Sequence, residues 1–157
     1  MIAVVQRVIR AEVKVDDVSI GKCGQGLLIL LGVAAGDTKE DAEAIAKKIP
    51  SLRIFCNEEG KMNLSLQDIG GEILAISNFT LLANCRRGNR PDFIGAEKPD
   101  AANEMYEYFV SLLRTTVSHV DMGQFGGDMK IDALNDGPVT ILLDSAVLRG
   151  PRHGGAI

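Results

Sequence analysis

The run Leu27-Leu28-Ile29-Leu30-Leu31-Gly32-Val33, entered through Gly24 and Gly26, constrains the fold more than any other stretch of the chain. It is far too short to cross a bilayer, which takes about 20 apolar residues. A continuous apolar run bounded by glycines fits a strand buried on both faces.

The flanking segments supply partners and cover for such a strand. Residues 2–10 and 11–20 carry β-branched residues alternating with polar ones (Val13, Val15, then Val18, Ile20), and Asp16-Asp17 forms the turn of an antiparallel hairpin. Asp37 with Glu40 makes a capping-box start. Ala42, Ile45, Ala46 and Ile49 then recur at helical spacing until Pro50. Leu52–Phe55 and Leu64–Leu66 flank a Glu58-Glu59-Gly60 turn, and Glu72–Leu82 reads as a further apolar strand entered through Gly70-Gly71. A polar loop over 84–92 leads to Pro99, the start of a second amphipathic helix carrying Ala102, Met105, Tyr106, Phe109, Leu112 and Leu113. Lys130–Leu134 and Val139–Asp144 read as two strands joined through Asn135-Asp136-Gly137-Pro138. The expected architecture is α/β: a single strand-rich layered domain over 1–157, with a mixed sheet and two main helices on one side. Residues 146–157 form a polar tail with no assigned role.

Composition narrows the function. Lys and Arg number 17 against 21 Asp and Glu, a formal charge of −4, which disfavours an extended duplex footprint while leaving room for a local basic patch. With two Tyr, five Phe and no Trp, stacking platforms for single strands are few. The opening residues lack the order of a signal peptide. Cys23, Cys56 and Cys85 are three and widely spaced, which fits a reducing compartment, and a cytoplasmic protein without membrane attachment is expected.

No sequence pattern marks the usual catalytic sets, although a Ser–His or Cys–His pair stays open as an alternative. His119 and His153 stand in no His-x-x-His array, no Gly-x-Ser-x-Gly elbow occurs, and Gly24-Gln25-Gly26 lacks a third glycine and opens a strand. Neither a metal nor a cofactor is expected. Two segments stand out instead. Ser77-Asn78-Phe79-Thr80-Leu81 ends an apolar strand and precedes Cys85-Arg86-Arg87-Gly88-Asn89-Arg90-Pro91. Hydroxyls, amides and free backbone N–H groups at a strand end can face a ligand, and arginines suit phosphate. A solvated basic loop is the plain alternative. The second segment is Asn135-Asp136-Gly137-Pro138-Val139-Thr140, which on its own is a turn.

Together the segments resemble the D-aminoacyl-tRNA deacylases of the bacterial and eukaryotic type. The similarity runs from residue 1 to about 145 and includes Ala3-Val4-Val5-Gln6-Arg7-Val8, Leu52-Arg53-Ile54-Phe55, Gly60-Lys61-Met62-Asn63-Leu64-Ser65-Leu66, Ser77–Leu81, Arg90-Pro91 and Asn135–Thr140. The resemblance implies a homodimer with active sites at the interface. It also implies a chiral proofreading hydrolase that frees tRNA from a D-amino acid esterified to the 3′-terminal adenosine. Ser77, Asn78, Phe79 and Thr80 would line the catalytic pocket. Gly137 and Pro138, joined by a cis bond and inserted from the other subunit, would exclude L-aminoacyl groups, with Arg7 holding them. Glycyl groups, having no side chain to clash, would leak through, including glycine mischarged on tRNA for alanine.

Phe125, Gly126 and Met129 would border the adenine, and Arg86, Arg87 and Arg90 would meet terminal phosphates; core packing and solvated charge are the alternatives for these two groups. One departure stands out: the family's usual residue at position 78 is Gln, and Asn78 is one methylene shorter. Two mechanisms fit these residues. Thr80 could act as a nucleophile, although Ser77–Leu82 offers no base. Otherwise backbone N–H groups around Phe79 and Thr80 would stabilise the oxyanion while the substrate's 2′-hydroxyl helps activate water. A non-catalytic dimeric nucleic-acid-binding module on the same fold is the rival reading, and a thiol hydrolase built on Cys85 a third.

Overall fold

A computed structural model describes residues 1–151. Strand β1 (Ile2–Val15) turns at Asp16 and Asp17, whose φ angles of 49° and 61° are left-handed, into β2 (Val18–Cys23). The hairpin is therefore as expected, but its first strand runs unbroken through residues 10 and 11. Strand β3 (Gly26–Gly32) lies antiparallel to the first half of β1, while β2 takes the same edge of the second half.

Helix α1 (Lys39–Lys48) starts one residue later than expected. Thr38 is the cap: its N–H and hydroxyl both donate to Asp41 Oδ2, at 2.9 and 3.0 Å. Asp37 is engaged elsewhere, accepting from the Ala34 N–H and the Met1 ammonium, each at 2.6 Å. Pro50 ends the helical run in a 3-10 turn, as its missing donor requires. A separate hairpin of β4 (Phe55–Cys56) and β5 (Met62–Leu64) follows. Leu66, expected in a strand, instead opens the short helix α2 (Leu66–Ile69), capped reciprocally by Ser65 and Asp68 and closed by Gly70 in the left-handed conformation.

Strand β6 (Glu72–Ser77) runs parallel to β3, and β7 (Val120–Met122), which no sequence pattern announces, runs parallel to β6. Helix α3 (Pro99–Arg114) begins at Pro99 as expected. The two expected C-terminal strands are one, β8 (Lys130–Asp144), paired with β1 along nearly its whole length. Asn135–Thr140 is thus not a turn between strands. Val8 faces Asn135 and Gln6 faces Thr140, so residues 136–139 bulge out opposite Arg7. Helix α4 (Ser145–Arg149) occupies the start of the expected polar tail, while residues 152–157, including His153, lie outside the described residues.

The sheet order is β2-β1-β3-β6-β7, with β8 on the other edge of β1. Strand β2 curls back toward β6 and β7. The Lys22 N–H donates to Asp121 Oδ2 at 2.9 Å and the Gly24 N–H to Glu72 Oε2 at 2.6 Å, leaving a nearly closed sheet. Its inside holds Val8, Ala11, Val13, Cys23, Leu28, Leu74 and Ile76. On the other face Leu27, Ile29, Leu31, Ile73 and Ala75 pack with Ile45, Ile49, Tyr106, Phe109 and Leu113 of the helical layer. Alternate residues of β3 therefore enter two cores, which is why its apolar run has no polar face. The architecture is the mixed, strand-rich α/β fold expected, with the two main helices on one side of the sheet.

Candidate active site

The site begins where β6 stops. The strand was expected to reach Leu82, but it ends at Ser77 and Phe79–Leu82 winds into a single 3-10 turn. Asn78 diverts the chain. Its N–H still donates to the Leu31 carbonyl at 2.7 Å, but its side-chain Oδ1 accepts from the Thr80 N–H at 3.2 Å and from the Thr80 hydroxyl. Such local side-chain capping competes with strand pairing. Gly32 on β3 gives the turn room: a Cβ there would lie 2.4 Å from Leu82 Cδ2 and 3.1 Å from the Asn78 carbonyl.

A cavity of about 690 Å³ opens beside this turn, and Ser77, Asn78, Phe79, Phe125, Gly126 and Met129 all line it. Its floor comes from Leu31 and Val33 of β3 and from Ala102 and Tyr106 of α3. Tyr106 was legible only as a helical core residue. It is fully buried, and its hydroxyl donates to the Ala75 carbonyl at 2.8 Å and accepts from the Gly123 N–H at 3.1 Å. Burial pushes this phenol up to about 12, so it stays a neutral strut. It fixes the point where the chain leaves β7 for the arm bearing Phe125, Gly126 and Met129. The signal was available, because a tyrosine on a buried helix face needs a polar partner.

Arg7, Gly137 and Pro138 form a second group, none of them among the residues lining this cavity. The buried Arg7 fills the hollow behind the β8 bulge. Its Nε donates to the Asp136 carbonyl at 2.9 Å and lies 3.2 Å from the Asp136 carboxylate. Nη1 donates to the Ile54 carbonyl at 2.6 Å, so the β4 end of the small hairpin braces the guanidinium, a part of the arrangement no sequence motif announced. Gly137 and Pro138 are exposed and joined by a cis bond. A Cβ on Gly137 would stand 2.1 Å from the Val139 nitrogen.

Arg86, Arg87 and Arg90 are exposed on the 84–92 loop, which Asn84 and Asp92 close by reciprocal backbone hydrogen bonds of 2.8 and 3.1 Å. Cys85 lies on this loop, outside the lining of the cavity. The buried Cys23 is a poor nucleophile, since burial pushes its thiol up to about 11.

The arrangement places a polar turn with backbone donors against an apolar cavity, and a backbone bulge elsewhere on the surface. Comparison with known proteins gives that geometry a context. The sequence model described as D-Tyr-tRNA(Tyr) deacylase matches residues 4–144. A D-aminoacyl-tRNA deacylase of Dehalococcoides mccartyi is 53% identical over 152 residues, which cover 97% of this chain and 99% of the relative. Among solved structures, one named c-Myc DNA Unwinding Element Binding Protein is 41% identical with a TM-score of 0.87, covering 92% of this chain and 98% of the other. Another, described as a probable eukaryotic D-amino acid tRNA deacylase, shares the fold at a TM-score of 0.78 with 17% identity, over 90% of this chain and 97% of its own.

Proposed function

The chain belongs to the D-Tyr-tRNA(Tyr) deacylase family and is a D-aminoacyl-tRNA deacylase, an ester hydrolase; from that premise we propose how its residues perform and restrict the reaction. The observation that carries the proposal is that Ser77, Asn78 and Phe79 line the apolar cavity, with Thr80 next along the same turn and outside the lining. The terminal adenosine enters the cavity between the turn and the 123–129 arm, with Phe125, Gly126 and Met129 against the base. The ester carbonyl then lies by the backbone of Phe79 and Thr80.

Water attacks the carbonyl carbon, assisted by the neighbouring 2′-hydroxyl. The oxyanion takes hydrogen bonds from backbone N–H groups. The bond from the carbonyl carbon to the ribose 3′-oxygen breaks, that oxygen takes a proton, and the D-amino acid leaves. Preorganised donors of this kind contribute about 3 kcal/mol each. The geometry favours this route over attack by Thr80, because the Thr80 hydroxyl donates to an amide oxygen, which is no base.

Chirality is imposed by backbone. A pocket that reads side chains cannot accept many D residues and refuse all L residues, whereas a wall where every L side chain projects can. The 136–139 bulge, braced by Arg7 and carrying exposed Gly137 and Pro138, suits such a wall. It does not line the cavity of its own chain, which supports its acting on a second subunit's site. Beyond its pairing with β1, β8 pairs with no other described strand and exposes Leu134 and Leu142, as an interface edge would. The exposed thiols Cys56 and Cys85 suit the cytoplasm, where charged tRNA is made. None of the described helices is long and apolar enough to cross a membrane.

The test is release of amino acid from D-tyrosyl-, L-tyrosyl- and glycyl-tRNA. Rapid loss of the D ester, slower loss of glycine and survival of the L ester are expected; equal resistance of glycine and the L ester would overturn the steric wall. The 41% identical structure, whose name is that of a DNA-element-binding protein, favours a second reading, a nucleic-acid-binding module on the same fold. It predicts tRNA binding without loss of any ester.

A further inference from the structure

Resting on the deacylase reading, we propose that the cavity's outer rim, formed by Phe79, Phe93 and Ile94 beside the arginine loop, is a stacking subsite for the unpaired nucleotide that precedes the terminal adenosine. Phe79 and Phe93 meet edge to face, with centroids 4.9 Å apart and planes at 71°. Phe79 is 57% exposed and Ile94 87% exposed, so the pair offers uncovered apolar surface to solvent. Ile94 is not a frayed residue. It sits on a turn closed by the Ala96 N–H donating to the Phe93 carbonyl at 3.0 Å. The turn is also tied to the body through Ala35 N–H to the Gly95 carbonyl and Glu97 N–H to the Val33 carbonyl, each 2.9 Å. Ile94 lines the same cavity as Phe93 and the exposed Phe79, so it belongs to an apolar patch and is not an isolated surface residue.

Charge identifies the occupant. The loop leading into Phe93 presents Arg86, Arg87 and Arg90, all exposed and none in an ion pair among the described residues. In a chain of net charge −4 this is a local cationic loop, closed at Asn84 and Asp92, whose next residue is Phe93 of the apolar rim. Phosphate on the arginines and a base face on Phe79 and Ile94 is the pairing of contacts that grips single-stranded nucleic acid. A base paired in a duplex would have no free face to offer such a rim.

The experiment compares two substrates, D-tyrosyl-tRNA and 3′-O-(D-tyrosyl)adenosine, which ends at the terminal nucleoside. Ile94→Ser is expected to raise KM for the tRNA roughly fivefold or more, with Ile94→Leu restoring it and the nucleoside ester unaffected by either. The triple variant Arg86→Gln, Arg87→Gln, Arg90→Gln is expected to flatten the salt dependence of kcat/KM on tRNA, by about 0.7 in log–log slope for each phosphate no longer neutralised. Equal impairment on both substrates, or on neither, overturns the subsite. So does a change in the particle's mass with Ile94→Ser, since the rim would then be a protein interface. If the unaltered protein cleaves neither substrate, the deacylase reading falls and this inference with it.

Discussion

Asn78 is where one methylene decides what the backbone can offer. Its Oδ1 already accepts from the Thr80 N–H at 3.2 Å, so one of the two N–H groups proposed for the oxyanion is engaged before substrate arrives. A glutamine, the residue the family resemblance leads one to expect here, cannot close the same short ring to a backbone two residues on. Asn78→Gln is therefore expected to free that donor and raise kcat about fivefold, the worth of roughly 1 kcal/mol for one hydrogen bond; an unchanged or lower kcat in single-turnover deacylation would show that Thr80 N–H takes no part. The hydroxyl of Thr80 has a different place. With only an amide oxygen as its partner it is not activated for attack, and Thr80→Ala should cost no more than a few fold in kcat. A loss of a thousandfold, or a trapped aminoacyl ester on Thr80, would restore the nucleophile.

Elements bend where single side chains outcompete the ladder, and that marks how far the sequence could be read. The β3 strand, the Asp16-Asp17 turn and the start of α3 at Pro99 were legible because burial, left-handed φ and a missing donor each act locally. The end of β6 was not, because an apolar run to Leu82 hides a cap that only Asn78's side chain and the glycine across at position 32 make possible. Nor was the continuity of β8: Asp136-Gly137-Pro138 has the composition of a turn, and only its pairing with β1 on both sides of Arg7 shows a bulge. The residues of the 77–80 turn could be named from sequence as a candidate site, whereas Tyr106 and Ile54, which brace the cavity and Arg7 from distant elements, carry no motif. The α1 cap has a consequence in pH. Burial of Asp41 alone would raise its carboxyl, but hydrogen bonds from Thr38, Arg149 and Ser145 outweigh it and hold the group well below its ordinary 3.8. A depressed carboxyl contributes stability that is complete above its unfolded value and is lost as pH falls beneath it. Asp41→Asn should thus lower Tm at pH 7 and flatten the fall of Tm below about pH 4, relative to the unaltered protein; an equally steep acid fall would mean that other carboxylates carry it.

At the scale of the whole molecule, the proposed gate at Gly137 and Pro138 stands outside the lining of its own chain's cavity, and the proposal has it meet the cavity of a second copy. Whether each gate guards its own site or its partner's can be read from mixed dimers. Ala102→Phe fills the cavity with a ring, since Ala102 is buried in its wall, and is expected to abolish cleavage while leaving the distant bulge intact. Gly137→Ala forces a Cβ to within 2.1 Å of the Val139 nitrogen, displacing the wall while leaving the cavity intact, and as a homodimer should cleave L-tyrosyl-tRNA as well as the D ester. A dimer purified with one subunit of each kind has a single open cavity, in the Gly137→Ala subunit. If the wall acts across the interface, that cavity faces the intact wall of the Ala102→Phe subunit, and the mixed dimer cleaves the D ester while refusing the L ester. If the wall acts within its own chain, the open cavity faces a displaced wall and the L ester is cleaved too. The proposed arrangement requires the first result, and cleavage of L-tyrosyl-tRNA by the mixed dimer would refute it.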